Sequence, residues 1–149
     1  MEKPNKARGL YVLFFLYCIW MIFLLFFGTR QPSLGDYWAQ IAENYSIKPL
    51  YTIRNYLWVL QNSSNTALIR HCAVNLLGNV LLFIPLGYFF PRLWRFFRPF
   101  WRFFLWAISL LLLIECLQLF SLRGRLDVDD IILNFSGMLL GFIFHKFLK

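Results

Sequence analysis

The stretch RLDVDDIILNFSGMLLG, from Arg125 to Gly141, sets a cluster of acidic residues directly before an apolar run. Its polar residues are Asp127, Asp129, Asp130 and, one helical turn further on, Asn134. The run that follows has the length and apolar character of a buried or membrane-spanning helix. The stretch therefore predicts a long helix whose first turns carry the polar groups, and the rest of the chain has to explain them.

The composition of the whole chain indicates that most of its apolar surface contacts lipid. The 149 residues are 60% hydrophobic and 21% aromatic, and the mean hydropathy is +0.59. A soluble domain of this size buries only about two-thirds of the surface that its unfolded chain exposes, so it could not hide this much apolar area. Since no repeat or linker is visible, we predict a single integral membrane domain over residues 1–149.

Four segments are long and apolar enough to cross a bilayer, which requires about 20 helical residues. They are predicted at Leu10–Phe27, Ala67–Phe90, Phe103–Phe120 and Ile131–Phe147. The first is expected to stay as an uncleaved anchor, because its apolar region is too long for a signal peptide and FFGTRQPS offers no cleavage site. The predicted fold class is all-α, a bundle of four transmembrane helices plus a short outer interfacial helix.

The short outer helix is predicted in LYTIRNYLWVL, within the long connection from Gly28 to Thr66. Its apolar residues recur at helical spacing and form one stripe: Leu50, Ile53, Leu57 and Leu60. We expect this helix to lie along the membrane interface or to pack over the mouth of the bundle. The following NSSN, Asn62 to Asn65, is expected to end it and to cap the second span.

The distribution of Lys and Arg predicts the orientation of the bundle, because cytoplasmic loops are enriched in these residues. The side with both termini holds nine: Lys3, Lys6, Arg8, Arg92, Arg95, Arg98, Arg102, Lys146 and Lys149. The other side holds six in longer connections: Arg30, Lys48, Arg54, Arg70, Arg123 and Arg125. Both termini are therefore predicted to be cytoplasmic, and the long connection is predicted to face outward.

The inner connection PRLWRFFRPFWR carries four arginines among aromatic residues. Such a surface would suit anionic lipid or nucleic acid. We favour the simpler interpretation, a cationic inner loop with an aromatic belt at the lipid headgroups. No nucleic-acid partner is predicted.

Polar residues inside the spans are the most informative for function, because they are costly in lipid and usually face the interior of the bundle. Three spans each carry two of them on one helix face: Asn75 with Asn79, Glu115 with Gln118, and Asp130 with Asn134. At the helical rise of about 1.5 Å per residue, all three pairs fall at a similar depth in the outer leaflet. This convergence predicts a single polar pocket that opens to the outside.

Arg123 and Arg125 are predicted to form the rim of this pocket together with Asp127, Asp129 and Asp130, and an arginine there can hold a carboxylate or phosphate. The predicted pocket comprises Asn75, Asn79, Glu115, Gln118, Arg123, Arg125, Asp127, Asp130 and Asn134. The alternative is a self-satisfied network in which Arg125 pairs with Glu115 or Asp130 and the amides join helices. Capping alone could also account for Asp127 or Asp129.

Other features favour structural roles. Gly137 and Gly141 form a small-xxx-small face for close helix packing, and Pro85 with Gly87 should kink the second span. Three cysteines, Cys18, Cys72 and Cys116, lack metal-ligand spacing, and the two histidines, His71 and His145, are interpreted as interfacial. No metal or cofactor is predicted.

Several stretches together resemble the VanZ-like family, named for a protein linked to teicoplanin resistance in Gram-positive bacteria. They are IKPLYTI, RHCAVNLLGNVLLFIPLGY, ECLQLF and RLDVDDIILNFSGMLLG, over roughly Ile47 to Phe142. The shared residues are Asn75, Gly78, Asn79, Pro85, Gly87, Glu115, Gln118, an arginine, Asp130, Asn134, Gly137 and Gly141. The arginine can be Arg123 or Arg125, because neither has the spacing to Asp130 that family members often show.

The resemblance implies a small multi-pass protein of the bacterial cytoplasmic membrane, and for some members reduced susceptibility to glycopeptides or lipoglycopeptides. Our first hypothesis is that the outer pocket binds a lipid-linked cell-wall precursor, a lipid headgroup or a lipophilic drug. The second is an intramembrane enzyme for a polyprenyl-phosphate or phospholipid, with Glu115 as the candidate acid or base. A transporter ranks last because four spans are few, and a homo-oligomer stays open.

Overall fold

The computed structural model describes residues 4–27 and 36–148, and this part of the chain is almost entirely helical. In chain order its elements are α1 (Pro4–Phe27), α2 (Tyr37–Glu43), β1 (Tyr45–Ser46), α3 (Tyr51–Asn62), α4 (Thr66–Leu93), a 3-10 turn (Arg95–Phe97), α5 (Phe100–Phe120), β2 (Leu126–Asp127) and α6 (Val128–Phe147). Four of these helices, α1, α4, α5 and α6, are long and apolar enough to cross a membrane. The predicted fold class is confirmed.

All four spanning helices begin earlier than predicted, and in α4, α5 and α6 a capping residue or a proline directly precedes the helix. The side chain of Asn65 accepts hydrogen bonds from the first two available N–H groups of α4, at 3.0 and 3.2 Å. The carboxylate of Asp127 accepts one from the Asp129 N–H at 2.9 Å and so caps α6. Pro99 precedes α5. The predicted capping of the second span by NSSN is confirmed.

Glycine residues allow α4 and α6 to approach closely, and this seam organises the bundle. A Cβ atom added to Gly137 would overlap the carbonyl oxygen of Val80, and one added to Gly141 would overlap that of Ile84. Gly87 has the same relation to the backbone of α6. The predicted small-xxx-small packing face is therefore confirmed, and its partner helix is α4.

Aromatic side chains fill the core beside this seam. Phe83, Phe103 and Phe142 are fully or almost fully buried. The rings of Phe103 and Phe142 stack with their centroids 4.5 Å apart, which fastens α5 to α6. The interior beside the seam is therefore mostly apolar, and His145, which the sequence predicted to be interfacial, is instead buried near the end of α6.

Helix α1 packs at the periphery of the bundle. Of its most apolar window, 6% is buried inside the protein, compared with 39% for α6. The Tyr17 hydroxyl donates to the carbonyl oxygen of Leu82 at 2.6 Å, and the Phe14 ring meets Phe89 edge to face. Leu82 lies three residues before Pro85, which cannot donate to the Leu81 carbonyl oxygen in the α4 ladder. Thus α1 attaches where α4 was predicted to be disrupted.

The connection between α4 and α5 packs its arginines against its own aromatic rings. The Arg102 guanidinium lies 4.8 Å from the ring centroid of Phe96 and 5.0 Å from that of Trp101. Arg98 donates to the carbonyl oxygen of Pro91 at 3.4 Å. These contacts agree with the interpretation of this connection as a cationic loop with an aromatic belt.

The connection between α1 and α4 holds more structure than the sequence predicted. Helix α2 is tied to the end of α5, because the Tyr37 hydroxyl donates to the Phe120 carbonyl oxygen at 2.8 Å. Strands β1 and β2 pair in parallel, with Tyr45 opposite Leu126 and Ser46 opposite Asp127. Two-residue strands carry no periodic signal, so neither was predicted.

Helix α3 forms as predicted, but its inward face differs from the expected stripe. Ile53 and Leu60 are partly buried, whereas Leu50 and Leu57 are about half exposed. The face that meets the bundle also contains Thr52 and Tyr56, so polar contacts decided the rotation of the helix. We call the end of the bundle that α3 covers, formed by the starts of α4 and α6 and the end of α5, the α3 end.

Some sequence predictions lie outside the described residues. They concern the segment that follows α1, residues 28–35, and three cations in the orientation count, Lys3, Arg30 and Lys149. The cytoplasmic placement of the termini stays a prediction.

Candidate functional site

A cavity of about 860 Å³ lies at the α3 end. Its walls come from α1, α3, α4, α5, α6 and the segment between α5 and β2. All nine residues of the predicted pocket line it: Asn75, Asn79, Glu115, Gln118, Arg123, Arg125, Asp127, Asp130 and Asn134. Their convergence on one cavity is as expected from their spacing and depth. Their role in binding stays a prediction.

Glu115 contributes a buried carboxylate to the α5 wall. Its side chain is 1% exposed, and its Oε2 atom accepts a hydrogen bond from the backbone N–H of Asp127 at 3.2 Å. Asp127 is the N-cap of α6, and the start of a helix carries partial positive charge. The α6 N-terminus therefore offsets part of the cost of burying this carboxylate.

Asn79 and Asp130 join α4 to α6 across the cavity wall. The Asn79 amide donates to the Asp130 carboxylate at 2.7 Å. The pair agrees with the alternative interpretation, in which amides join helices, and it holds two lining groups in fixed positions.

Asp127 and Asp129 act mainly as helix caps, which is one of the roles that the sequence allowed for them. Asp127 caps α6 and also accepts a hydrogen bond from the Thr52 hydroxyl at 2.7 Å. Asp129 is fully buried and accepts hydrogen bonds from the backbone N–H groups of Leu50 and Ile53. It therefore caps α3 from another helix, where Leu50 itself provides no side-chain cap. The two aspartates hold α3 over the cavity.

Two of the predicted pocket amides are partly engaged with the backbone. Gln118 Nε2 donates to the carbonyl oxygen of Leu25 at 3.1 Å. Leu25 lies in the last turn of α1. Asn75 Nδ2 donates to the carbonyl oxygen of His71 at 2.8 Å. The Asn75 Nδ2 also lies 3.4 Å from His71 Nε2. The side-chain oxygens of both residues and the second N–H of Gln118 are therefore the groups that can bind a ligand.

Asn134 places a buried acceptor on the α6 wall. The residue is 2% exposed, and within the described part of the chain its Oδ1 atom has no hydrogen-bond partner. Leaving such an atom unsatisfied costs about 1–3 kcal/mol. Because the atom itself is buried, a ligand donor would reach it only after a neighbouring side chain moves.

Three arginines line the cavity, and two of them are held by contacts near its mouth. The Arg125 guanidinium donates to the Tyr45 carbonyl oxygen at 3.4 Å, and that of Arg123 lies 5.6 Å from the Phe27 ring centroid. Arg70 comes from the first turns of α4. Both Arg123 and Arg125 thus reach the cavity. Within the described residues, Glu115 accepts a hydrogen bond from the Asp127 N–H and Asp130 accepts one from the Asn79 amide, so the alternative pairing of either carboxylate with Arg125 is not found.

The sequence analysis missed four polar residues of the lining: Thr52, Tyr56, Arg70 and His71. His71 was interpreted as interfacial, and its ring meets that of Tyr56 edge to face with the centroids 6.1 Å apart. Thr52 and Tyr56 are four residues apart on α3, so a search for polar as well as apolar helical spacing would have found them.

Burial raises the pKa of the Tyr56 hydroxyl. Asp130, Cys72 and Asp127 act in the same direction, and Arg125 opposes them. The hydroxyl therefore stays protonated at physiological pH and offers a hydrogen-bond donor to the cavity.

Two leucines at the borders of the site adopt a left-handed backbone. Leu50 has φ 62° directly before α3, and Leu122 has φ 54° directly after α5. A non-glycine residue in this region costs about 1–3 kcal/mol and often marks a functional site. Asp129 holds Leu50 through its N–H, and the N–H of Leu122 donates to the Leu119 carbonyl oxygen at 3.0 Å.

The cavity therefore combines cations near its mouth with carboxylates and amides in its walls. Such a set can hold an anion at the arginines and receive hydroxyl or amine donors at the acceptors. Within residues 4–27 and 36–148, no group of three or more His, Cys, Asp or Glu side chains is arranged to hold a metal ion.

Comparisons with known proteins identify the family. No curated protein and no solved structure matched the chain. The family model VanZ/LLP1 matches residues 14–149, a longer region than the sequence resemblance covered, and it includes most of α1. The chain belongs to the VanZ/LLP1 family and is one of its multi-pass membrane proteins.

Proposed function

We propose that this protein binds the polar, anionic head of a membrane lipid or lipid-linked cell-wall precursor in the cavity at the α3 end. The observation that carries the proposal is the convergence of three arginines with the seven other polar residues of the predicted pocket and with Tyr56 on one cavity. We further propose that the α3 end faces the outside of a bacterial cytoplasmic membrane, since most Lys and Arg residues lie toward the other end.

The anionic group of the ligand is expected to bind near the mouth. Arg70, Arg123 and Arg125 supply planar guanidinium groups, which bind phosphate or carboxylate through paired hydrogen bonds. In the low-dielectric surroundings of a membrane bundle, such contacts are stronger than in water.

The deeper part of the ligand head is expected to donate hydrogen bonds. Asn134 offers a buried, unpartnered oxygen within the described residues, and Glu115 and Asp130 offer carboxylate oxygens. A head with hydroxyl or amine groups, such as glycerol phosphate or a phosphorylated sugar, satisfies both sets. This requirement separates such lipids from a simple phosphate.

A role in glycopeptide or lipoglycopeptide resistance follows as an extension of this proposal. These drugs act on wall precursors outside the membrane, and a protein that shields a precursor or captures a lipophilic drug there would lower susceptibility. Expression of the wild-type chain in a susceptible Gram-positive host should raise the inhibitory concentration of teicoplanin.

The binding proposal is tested by native mass spectrometry of the purified full chain. Wild type should retain a co-purifying or added phosphatidylglycerol or lipid-linked precursor, whereas Arg125→Ala and Glu115→Gln should each lose most of it. Arg95→Ala is the matched control, because this exposed arginine lies in the 3-10 turn at the opposite end of the bundle. Equal lipid retention in all four proteins, with unchanged teicoplanin susceptibility, would contradict the proposal.

A second candidate function is an intramembrane enzyme, favoured by the carboxylates of Glu115, Asp127 and Asp130 and the imidazole of His71 in one cavity. Glu115 would act as general acid or base on a polyprenyl-phosphate or phospholipid. The test is turnover of either lipid by the purified protein, with and without Mg²⁺, and its loss in Glu115→Gln. Binding without turnover would support the first candidate alone.

A further inference from the structure

The cavity has an apolar side that the polar site does not explain. Trp20 and Leu24 of α1 line it together with Val74, Leu81 and Leu82 of α4. Three of these side chains are also largely exposed on the outer surface of the bundle, namely Trp20 at 56%, Val74 at 62% and Leu81 at 61%. Residues that line a cavity and also face outward mark its opening, and on a spanning helix this opening meets lipid.

Gly78 lies in the middle of this opening. It lines the cavity, and a Cβ atom added to it would meet nothing within 4 Å in the described structure. Gly87, nine residues further along the same helix, differs because a Cβ there would overlap the backbone of α6. Close helix packing therefore explains Gly87, whereas Gly78 keeps a passage clear beside Asn79, whose amide belongs to the polar wall.

Helix α1 is attached to the bundle on both sides of this opening. On one side the Tyr17 hydroxyl bonds to the Leu82 carbonyl oxygen, and on the other Gln118 bonds to the Leu25 carbonyl oxygen. Tyr17 and Leu25 are eight residues apart, which corresponds to about 12 Å along the helix axis. Non-bonded carbon atoms approach to about 4 Å, so the interval exceeds the width of a hydrocarbon chain.

We infer that the gap between α1 and α4 at Gly78 is a lateral portal, through which the hydrocarbon chain of an anionic amphiphile extends from the cavity into the bilayer. The head lies among the arginines and amides, and the chain passes Gly78 between the Tyr17 and Gln118 attachments. This inference rests on the proposed function and adds to it that the ligand is a phosphate ester with a long chain, which enters from the membrane rather than from water.

The polar and apolar sides of the cavity are continuous, which indicates that its ligand has both a polar head and a hydrocarbon chain. Gly78 and Asn79 are adjacent in α4, so a ligand whose head is bound at Asn79 places the atoms attached to that head at the opening beside Gly78. A wholly polar ligand would leave Trp20, Val74 and Leu81 without use, and a hydrocarbon alone would not use Arg123 or Arg125. A molecule with both parts matches the whole lining.

The test compares long and short chains on the same head. Purified full-length protein is titrated with dioleoyl phosphatidylglycerol, with undecaprenyl phosphate and with water-soluble dihexanoyl phosphatidylglycerol, and bound lipid is counted by native mass spectrometry. The variant is Gly78→Trp, which fills the opening where space for a Cβ exists. The matched control is Leu77→Trp, the preceding residue, which is 62% exposed and lies outside the cavity lining.

In Gly78→Trp we expect affinity for the long-chain ligand to fall by about tenfold or more, with short-chain affinity within about threefold of wild type. Leu77→Trp should bind both as wild type does. The long-chain lipid that responds, phospholipid or prenyl phosphate, identifies the source of the ligand. Unchanged long-chain binding in Gly78→Trp, loss of both chain lengths, or an equal loss in Leu77→Trp would overturn the portal. A wild-type protein that binds none of the three lipids overturns the proposed function and the portal together.

Discussion

The side-chain amide of Asn79 donates a hydrogen bond to the carboxylate of Asp130 across 2.7 Å. This polar link joins α4 to α6 at the α3 end, just beyond the seam where Gly137 packs against the Val80 backbone. The two helices are thus in close contact along the seam, and between the seam and the α3 end they form a polar wall. The seam keeps the helices near enough for the link to form.

The energy of this link can be measured with a double-mutant cycle. Asn79→Ala, Asp130→Ala and the double variant should give a coupling energy of about 1 kcal/mol, since interhelical hydrogen bonds in membranes range from about 0.6 to 1.7 kcal/mol. The measurement is reversible unfolding in mixed micelles. Ser109→Ala is the control, because the Ser109 hydroxyl bonds within its own helix at 2.8 Å. A coupling energy of zero would show that the bond adds nothing to folding.

Enlarging Gly137 should separate α4 from α6. In Gly137→Leu the new side chain overlaps the Val80 carbonyl oxygen, so we expect a loss of about 1–3 kcal/mol or more in unfolding free energy. Gly9→Leu is the matched control, since a Cβ at Gly9 meets nothing within 4 Å. Equal stability of the two variants in the micelle unfolding assay would refute the close seam.

Removing the trans cap should loosen α3. Asp129→Ala leaves the N–H groups of Leu50 and Ile53 without their carboxylate partner, which costs about 1 kcal/mol for a typical cap. Amide hydrogen exchange in the first turn of α3 should then accelerate about fivefold. The comparison variant is Asp36→Ala, which removes the cap of α2 and should leave α3 protected. Unchanged exchange in Asp129→Ala would mean that α3 is held by other contacts.

The Tyr56 hydroxyl should titrate above the ordinary tyrosine value of about 10, because burial raises its pKa. As pH rises past that value, the unfolded chain loses this proton before the folded protein does. Folding stability therefore falls on the alkaline side, and below the ordinary value the shift has no effect. Carbon-13 NMR of labelled tyrosine, with Tyr56→Phe for assignment, measures the midpoint. A midpoint at or below the ordinary value contradicts the burial of the hydroxyl.

The spans and the polar pocket were predictable because both depend on regular helical geometry. In lipid, a run of about 20 apolar residues forms a spanning helix, and residues four apart share a face of that helix. Asn75 with Asn79 and Asp130 with Asn134 could therefore be assigned to one wall each before any coordinate was known. Gly137 and Gly141 identified the packing face for the same reason.

What the sequence could not predict depends on contacts between distant segments. Asp129 lies in the first turn of α6, yet it caps α3, because the two segments meet only after folding. The pairing of β1 with β2 sets the position of Arg125 beside Tyr45 through a strand too short to leave a periodic pattern. Rotation of α3, which brings Tyr56 to the cavity, follows from these contacts.

The sequence by itself determined a four-helix membrane bundle with polar groups at one end, because apolar length and helical period are local properties of the chain. The tertiary structure alone decided how those groups are used. It made Asp129 a cap of α3 and bonded Gln118 to the last turn of α1, and it left the Asn134 oxygen buried without a partner within the described residues. The roles of Asp129 and Gln118 depend on hydrogen bonds to residues that are 76 and 93 positions away in the sequence, and no local pattern specifies such partners.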